Sequence, residues 1–407
     1  MSTKIKKSPK IKKSTHGELS LYTDKKKYYY YKNMSVLGID KDEIYTEKDS
    51  KAKKNVINYT VPIIFKGYAK SICNAIRRIP MDMITTYSID PGKCEIDYNR
   101  TKTIYHGDYM SKRLSLIPIY QKSLESYDDK SKLKFVLEYD NDTDEHVDIY
   151  VYEHLQVLYD GSSTMNGKKI DIKKLIIYDM LILTLKPNDK IHIECGISDG
   201  IGIEHPRYNG AVSMYKYWND KDNTTIRENN EDELNYNKND DGSPESIIIS
   251  IETNGKFDPI TTFRKIFDVM LNELDTIFDK HYVIEVDSAI KELLTITVDN
   301  MDYTIGNIIL EYMLKMVKGD NSMNLHETKI TMKDKHPTMH SVIYEIRLPD
   351  LYVVNLENTT VLSTVVDKYG SDVSDHNSVI FMQLAIQNAK DDVDDIIKNF
   401  NNLIKNK

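Results

Sequence analysis

Two stretches far apart in this chain repeat one small unit: a strand, a tight turn and an amphipathic helix. The first runs Val61-Pro62-Ile63-Ile64-Phe65, then Gly67, then a helix carrying Asn74-Ala75-Ile76-Arg77-Arg78. The second runs Leu294-Thr295-Ile296-Thr297-Val298, then Asp302-Tyr303-Thr304-Ile305-Gly306-Asn307-Ile308-Ile309. Another long amphipathic helix follows each. A unit of this kind buries only one face of its sheet, so two in one polypeptide imply halves that pack on each other. That is the plan of a pairing device rather than of a catalytic pocket.

At 407 residues the chain has material for two or three domains with real cores. A formal net charge of -8 argues against a nucleic-acid coat protein, because neutralising phosphate needs a basic surplus. The three cysteines, Cys73, Cys94 and Cys195, are widely separated. That spacing excludes a disulfide framework and any Cys-x-x-Cys zinc site, and so favours a reducing, intracellular compartment. No run of about 18 apolar residues is present to span a membrane, and the lysine-rich start lacks the apolar segment of a secretory signal.

Residues 1–54, including the run Lys4 to Lys13, are expected to form a disordered lysine-rich tail. The block Tyr28-Tyr29-Tyr30-Tyr31 has no evident mechanism. Ala69, Ile72, Cys73 and Ile76 share one face of a helix expected over about 67–79, with Arg77 and Arg78 in its last turn and Pro80 stopping it. From Met83 to Trp218 the pattern alternates as strands do, at Lys134–Tyr139, Val147–Tyr152 and Lys190–Cys195. An acidic, Asn-rich loop over 219–242 follows.

The strand Ser246–Ile251 leads to a helix whose N-cap is Asp258 and whose first residue is Pro259. Its apolar stripe comprises Phe263, Ile266, Phe267, Met270, Leu274, Ile277 and Phe278, and the helix is expected over about 262–279. Burying most of that stripe contributes on the order of 10 kcal/mol before entropy is subtracted. The second half opens near Val286. Its first helix, about 304–318, carries Ile305, Ile308, Ile309, Tyr312 and Met316 and is closed by Gly319. Strands are expected at about 328–331 and 341–348. A last helix, about 379–403, presents Ala389, Val393, Ile396, Phe400 and Leu403 at three- and four-residue steps.

Within this frame several motifs are specific. Ser71 to Pro80 resembles the signature helix of the α-like subunits of cellular RNA polymerases: the bacterial α subunit, its archaeal counterpart and the third-largest subunit of eukaryotic RNA polymerase II. Asn99 to Ile119 resembles that family's asparagine, H-D-E and R-L-G-L-I-P segment. Leu181 to Pro187 and Gly200 to Tyr208 resemble its "L-x-x-G-Q" and "G-x-x-K-E-H-A-K-W" segments. Asp302 to Asn307 resembles the "D-H-T-L-G-N" sequence of the partner, the eleventh subunit of polymerase II. His336-Pro337-Thr338-Met339-His340 is similar to that partner's "H-P-x-x-H" turn, and the helix from Ala385 onward to its closing helix. The resemblance runs from about Asn58 to Leu403.

Departures are visible. The two partners are usually separate chains, and their joining is the arrangement of large nucleocytoplasmic DNA viruses. The zinc-binding cysteine cluster of many third-largest subunits is absent. Ser115 stands where glycine is usual, and Gly107 where an acidic residue is usual.

The resemblance implies an α+β fold, with two RNA polymerase α-type dimerisation domains paired within one chain. The first covers 55–85 and 243–288, a β-rich insert covers 86–242, and the second covers 289–407. It implies a non-catalytic assembly platform of a viral DNA-directed RNA polymerase. Its partners would be the second-largest and largest subunits and small stabilising subunits, with DNA reached only through the complex and no membrane. The docking residues it marks are Asn74, Arg77, Arg78, His106, Arg113, Glu204 and His205. Pairing is expected of Ile72, Ile76, Phe263, Ile266, Phe267, Met270, Leu274, Ile305, Ile308, Ile309, Val393, Ile396 and Phe400. The implied location is intracellular, in virion and host cytoplasm or in the nucleus. Linking two pairing modules makes their association intramolecular, at roughly millimolar effective concentration.

Arg77 and Arg78 can be two solvated cations, and Arg113 a solvated residue on a half-buried strand. His336 and His340 are read as a turn, since Pro337 keeps them off a helix face where both could hold a metal. Asp140 to Glu145 mimics a calcium loop but lacks its sixth-position glycine and twelfth-position glutamate. Asp391, Asp392, Asp394 and Asp395 are expected to be solvated. No P-loop, nucleophile elbow or His-Glu-x-x-His motif occurs, nor the polymerase's catalytic aspartate cluster, so no cofactor or metal is expected. The alternatives are a stand-alone nucleic-acid-binding transcription regulator, drawing on Lys4 to Lys13, and a metal-dependent hydrolase using the Asp-rich loops.

Overall fold

The computed structural model describes residues 18–21, 46–48, 55–57, 60–165, 168–176, 178–217, 239, 244–277, 280, 282–286, 293–319, 328–336, 339–348 and 377–405. The lysine run, the tyrosine block, Phe278 and almost all of the 219–242 segment lie outside the described residues.

The first strands are β1 (Glu18–Leu21), β2 (Thr46–Lys48), β3 (Asn55–Ile57) and β4 (Thr60–Lys66), and helix α1 spans Lys70–Asp82. Val61, Ile63 and Phe65 alternate inward along β4 and are buried. Gly67, at φ 78°, turns the chain from β4 toward α1 in a conformation side chains disfavour. The insert brings β5 (Thr86–Ile96), α2 (Gly107–Ser115), β6 (Leu133–Asp140), β7 (Val147–Tyr150), α3 (Val151–His154) and β8 (Leu155–Tyr159). Then come β9 (Thr164–Met165), β10 (Lys168–Lys169), α4 (Ile172–Leu175), β11 (Leu181–Leu185), β12 (Lys190–Gly200) and β13 (Ala211–Tyr217). The chain continues through β14 (Ser246–Thr253), α5 (Pro259–Asp275), β15 (Tyr282–Val286), β16 (Leu293–Asp299) and α6 (Tyr303–Gly319). It ends with β17 (Lys329–His336), β18 (Met339–Arg347) and α7 (Asn377–Lys405).

Three antiparallel four-stranded sheets organise these elements, in the orders β1-β4-β14-β13, β5-β12-β6-β8 and β15-β16-β18-β17. Helices α1 and α5 pack on the first sheet, while α6 lies on the third. Helix α6 touches α1, α5 and α7, and α5 touches α1 and α7. The first and third sheets with these helices share one continuous apolar cluster, whereas the middle sheet has its own, running from Ile89 to Ile197.

Several expectations need correction. Glu18–Leu21, assigned to a disordered tail, pairs with β4 from Glu18↔Lys66 to Leu21↔Ile63, and Thr46–Lys48 pairs with Asn55–Ile57. Ala211–Tyr217, assigned to the insert, pairs with β14 throughout its length. Ala211, Tyr215 and Tyr217 pack toward the large cluster rather than the insert's own, so burial draws the strand out of the insert. Tyr282–Val286, assigned to the first pairing unit, is an edge strand of the third sheet, with Val286 opposite Leu294.

Helix α1 does not stop at Pro80; it runs to Asp82. Pro80 removes one N–H, but Ile79 O still receives the Met83 N–H at 2.9 Å. Pro80 O accepts from the Gly210 N–H at 3.0 Å, and Asp82 O from the Ile203 N–H at 3.1 Å. Partners outside the helix therefore hold its final turn, and Arg77 and Arg78 sit before that turn. Within the stretch read as strands, Gly107–Ser115 is a helix. Its Met110 and Leu114 are buried on one face, so Arg113 is helical. Asp258 does cap α5, accepting the Thr261 N–H at 2.9 Å.

Candidate subunit-docking face and apolar seam

All thirteen apolar residues expected to pair lie in the single large cluster. Ile72 and Ile76 of α1, Phe263, Ile266 and Met270 of α5, Ile305, Ile308 and Ile309 of α6, and Val393 and Ile396 of α7 are all 0% exposed. Phe267, Leu274 and Phe400 are almost as deeply buried. The ring of Phe400 packs against Phe263 and Phe267, at centroid distances of 5.3 and 5.4 Å. Packing of helix on helix from sequence-distant segments is what their three/four spacing requires once each loses its water.

Polar groups cross the same seam. Ala69, the N-cap of α1, offers no capping side chain. The Ser71 N–H instead donates to Glu311 Oε2 of α6 at 2.7 Å. The Tyr68 hydroxyl donates to Asp395 Oδ2 at 3.1 Å, and the Asn399 side chain donates to both, at 2.8 and 3.0 Å. Burial, with the carboxylate of Asp395 adding to it, pushes the Tyr68 hydroxyl well above its ordinary pKa. Asp392 accepts from the Tyr312 hydroxyl. Asp392 and Asp395 are thus half-buried partners across the seam rather than solvated, while Asp391 and Asp394 remain exposed.

The expected docking residues are polar and lie at or near the surface of the other flank. On α1 the Arg77 Nε donates to Asn74 Oδ1 at 3.0 Å, and Arg78 pairs with Asp82 at 3.4 Å. His106 caps α2, its Nδ1 accepting the Asp108 N–H at 3.3 Å. Arg113, exposed on α2, donates to the Tyr109 hydroxyl at 3.0 Å and to Leu181 O at 3.2 Å. Glu204 Oε2 accepts the Ile201 N–H at 3.2 Å, and His205 Nδ1 accepts the Arg207 N–H at 3.1 Å. Burial, then the charges of Arg207 and of Lys112 on α2, lower the His205 pKa.

The loop over 201–210 binds the end of α1 closely. A Cβ on Gly202 would meet Met81 O at 1.6 Å, a distance only glycine permits. The structure therefore joins the Arg78–Asp82 end of α1 to the loop of Glu204 and His205, and the charge of Lys112 on α2 is felt at His205. No hydrogen bond or ion pair among the described residues links Asn74 or Arg77 to His106 or Arg113.

Both departures from the familiar motif have local causes. A Cβ on Gly107 would meet Ile96 Cδ1 at 2.4 Å. Ser115 is buried, donates to Lys112 O at 2.6 Å and presents its own carbonyl to Ser88 Oγ at 2.8 Å. Sequence reasoning missed the apolar side chains around these polar groups. Ile104, Tyr109, Leu116, Leu181 and Ile203 are 66%, 48%, 61%, 39% and 46% exposed. All five sit inside the quoted motifs, and the exposure of Tyr109 and Leu116 follows from α2 being a helix.

His336 lies opposite Met339 in the β17–β18 ladder, and Pro337 and Thr338 between them lie outside the described residues. Asn141 is buried and its side chain donates to the carbonyls of Glu145 and Lys186, each at 2.9 Å, so the calcium-like stretch is a closed turn. Cys94 and Cys195, far apart in sequence, are directly opposed across β5 and β12. All three cysteines are free thiols. Among the described residues no three His, Cys, Asp or Glu side chains gather as a metal site would need. Nor is any described helix long and apolar enough to cross a membrane.

No curated protein matches the chain. The family profile described as the RNA polymerase Rpb3/Rpb11 dimerisation domain matches residues 63–274, over half of the sequence, from β4 through the insert to α5. With its strand–helix unit, its insert and its long pairing helix in that order, the chain belongs to the RNA polymerase Rpb3/Rpb11 dimerisation-domain family, a non-catalytic assembly component of DNA-directed RNA polymerase.

Proposed function

We propose that this chain joins two pairing units that cellular polymerases keep on separate subunits, and that its two halves close on each other to form the assembly platform. On this reading residues before about 281, less the insert, form a unit like the third-largest subunit, and residues from Tyr282 onward one like the eleventh. The observation that carries it is the continuous apolar seam of α1, α5, α6 and α7, with Phe400 between Phe263 and Phe267. Such a seam belongs to an obligate interface, more like a divided core than a transient contact.

The end of α1, helix α2 and the 201–208 loop then dock the second-largest subunit. Arg78, Arg113, Glu204 and His205 supply orientation, and the exposed Tyr109, Leu116 and Ile203 supply apolar area. Asn74 and Arg77 extend that face along α1, and His106 fixes the start of α2. The largest subunit and small stabilising subunits join around this pair, and DNA is engaged only by the assembly. On this reading the chain serves the polymerase of a large nucleocytoplasmic DNA virus, in virion and host cytoplasm or in the nucleus.

Affinity purification of the tagged full chain from its native cells, followed by mass spectrometry of its companions, tests this. Recovery of both large polymerase subunits is expected. Recovery of neither overturns the reading. A stand-alone nucleic-acid regulator would instead lose its function when residues 1–20 are deleted, with polymerase subunits absent from the purified material.

A further inference from the structure

Cys94 on β5 and Cys195 on β12 are Cα partners in the antiparallel ladder, and their sulfurs are 2.6 Å apart. Opposed residues in such a ladder have Cα atoms about 4.5–5.5 Å apart and point to the same face. That separation falls inside the range a disulfide accepts, about 4.4–6.8 Å. Closing the bond, about 2.05 Å long, brings the two sulfurs only roughly half an ångström closer than they already lie. The ladder is irregular immediately beyond, between Cys195 and Ile197, which leaves slack beside the pair.

Access is unequal. Cys195 is 1% exposed in the insert core, whereas Cys94 is half-buried on β5, an edge strand of its sheet. The third cysteine, Cys73, is 0% exposed in the other apolar cluster. We propose that Cys94 and Cys195 form a thiol–disulfide exchange site that closes to a cross-strand disulfide on reaction with a small disulfide such as oxidised glutathione. Cys94, as thiolate, attacks one sulfur of the small disulfide, forming a mixed disulfide and releasing one molecule of thiol. The Cys195 sulfur then gives up its proton and attacks Cys94 Sγ, expelling the second thiol. The two protein thiols lose two electrons and two protons between them, and the small disulfide gains them as two thiols. The hydrogen bond from Cys94, then burial, raise the Cys195 pKa, consistent with Cys94 reacting first.

The bond would fasten edge strand β5 to β12 and close a loop that contains α2 and most of the insert. Its consequence is a more rigid insert under oxidising conditions, independent of what the chain assembles with.

The test uses the full chain incubated with oxidised and reduced glutathione over a range of ratios, quenched with an alkylating agent and digested without reduction. A single peptide pair joining Cys94 to Cys195 is expected, with the intact mass lower by a pair of hydrogen atoms. Cys73 should stay alkylatable after denaturation, and slower proteolysis of the oxidised chain should accompany the link. Cys94→Ser must abolish it, and the mapping on the unaltered chain decides the matter even if Cys195→Ser fails to fold. A stable glutathione adduct on Cys94 with Cys195 still free, or linkage only between chains, would overturn the proposal.

Discussion

The ring of Phe400 on α7 lies 5.3 Å from the ring of Phe263 on α5, joining the last helix of the chain to one laid down before the third sheet. Phe400 is 2% exposed and also meets Phe267 edge-on, so no neighbour is free to fill its space. Phe400→Ala is expected to cost about 3–5 kcal/mol, the sum of lost transfer energy and a cavity that relaxes poorly. Urea unfolding followed by far-ultraviolet and near-ultraviolet circular dichroism measures it. Because the core is shared, both signals should shift together; a loss confined to one transition of two would mean the halves fold independently.

Glu311 performs across the seam the task that Ala69 cannot perform within α1. Its carboxylate accepts the Ser71 N–H at 2.7 Å, at the positive end of the helix dipole. Glu311→Ala should therefore destabilise by about 1–2 kcal/mol, as loss of a charged cap does. Glu311→Gln should recover part of this and reduce the salt dependence, since an amide oxygen accepts the bond without the charge. Equal stability of the two variants in urea titrations at low and high salt would remove Glu311 from this role.

Much of this architecture was legible because period and caps are local properties. The stripe from Phe263 to Leu274 and the Asp258–Pro259 start determine α5 without help from elsewhere. What was not legible depends on distant partners. Pro80 reads as a stop until Gly210 and Ile203 supply N–H groups to the last turn. Ala211–Tyr217 alternates like any insert strand, and only pairing with β14 assigns it to the first sheet. Asp392 and Asp395 look like a solvated face until Tyr312 and Tyr68 arrive from other segments. Motif resemblance marks the candidate docking residues, and the exposure of Tyr109 and Leu116 beside Arg113 follows only from the helical form of α2.

Lys256 is 2% exposed and lies between the first sheet and the insert, its Nζ donating to Thr86 Oγ1 at 3.1 Å and to Arg207 O. Burial, reinforced by the charge of Arg207, draws its pKa from 10.5 to about 7. The unfolded chain therefore holds more protons than the folded one between those values, so stability rises with pH from about 7 toward 10. The slope from this one group approaches at most about 1.4 kcal/mol per pH unit. Lys256→Met removes the titration. Urea midpoints of the two proteins over this range should diverge as pH climbs, with the methionine variant gaining less. Parallel curves would show that Lys256 stays charged in the fold.

Arg113 tests the docking face with little risk to the fold. Its guanidinium is exposed, and its bonds to Tyr109 and to Leu181 O orient it without supporting the core. Charge reversal by Arg113→Glu should leave the unfolding transition within about 0.5 kcal/mol of the parent. Capture of the second-largest polymerase subunit should weaken about tenfold to a hundredfold, the range of an interface arginine flanked by apolar side chains. Lys168→Glu, exposed on strand β10 and outside the motifs of the proposed face, serves as the control and should bind as the parent does. Co-purification titrated against partner concentration reads both effects. An Arg113→Glu chain that captures the subunit as well as the control would place the docking face elsewhere on the molecule.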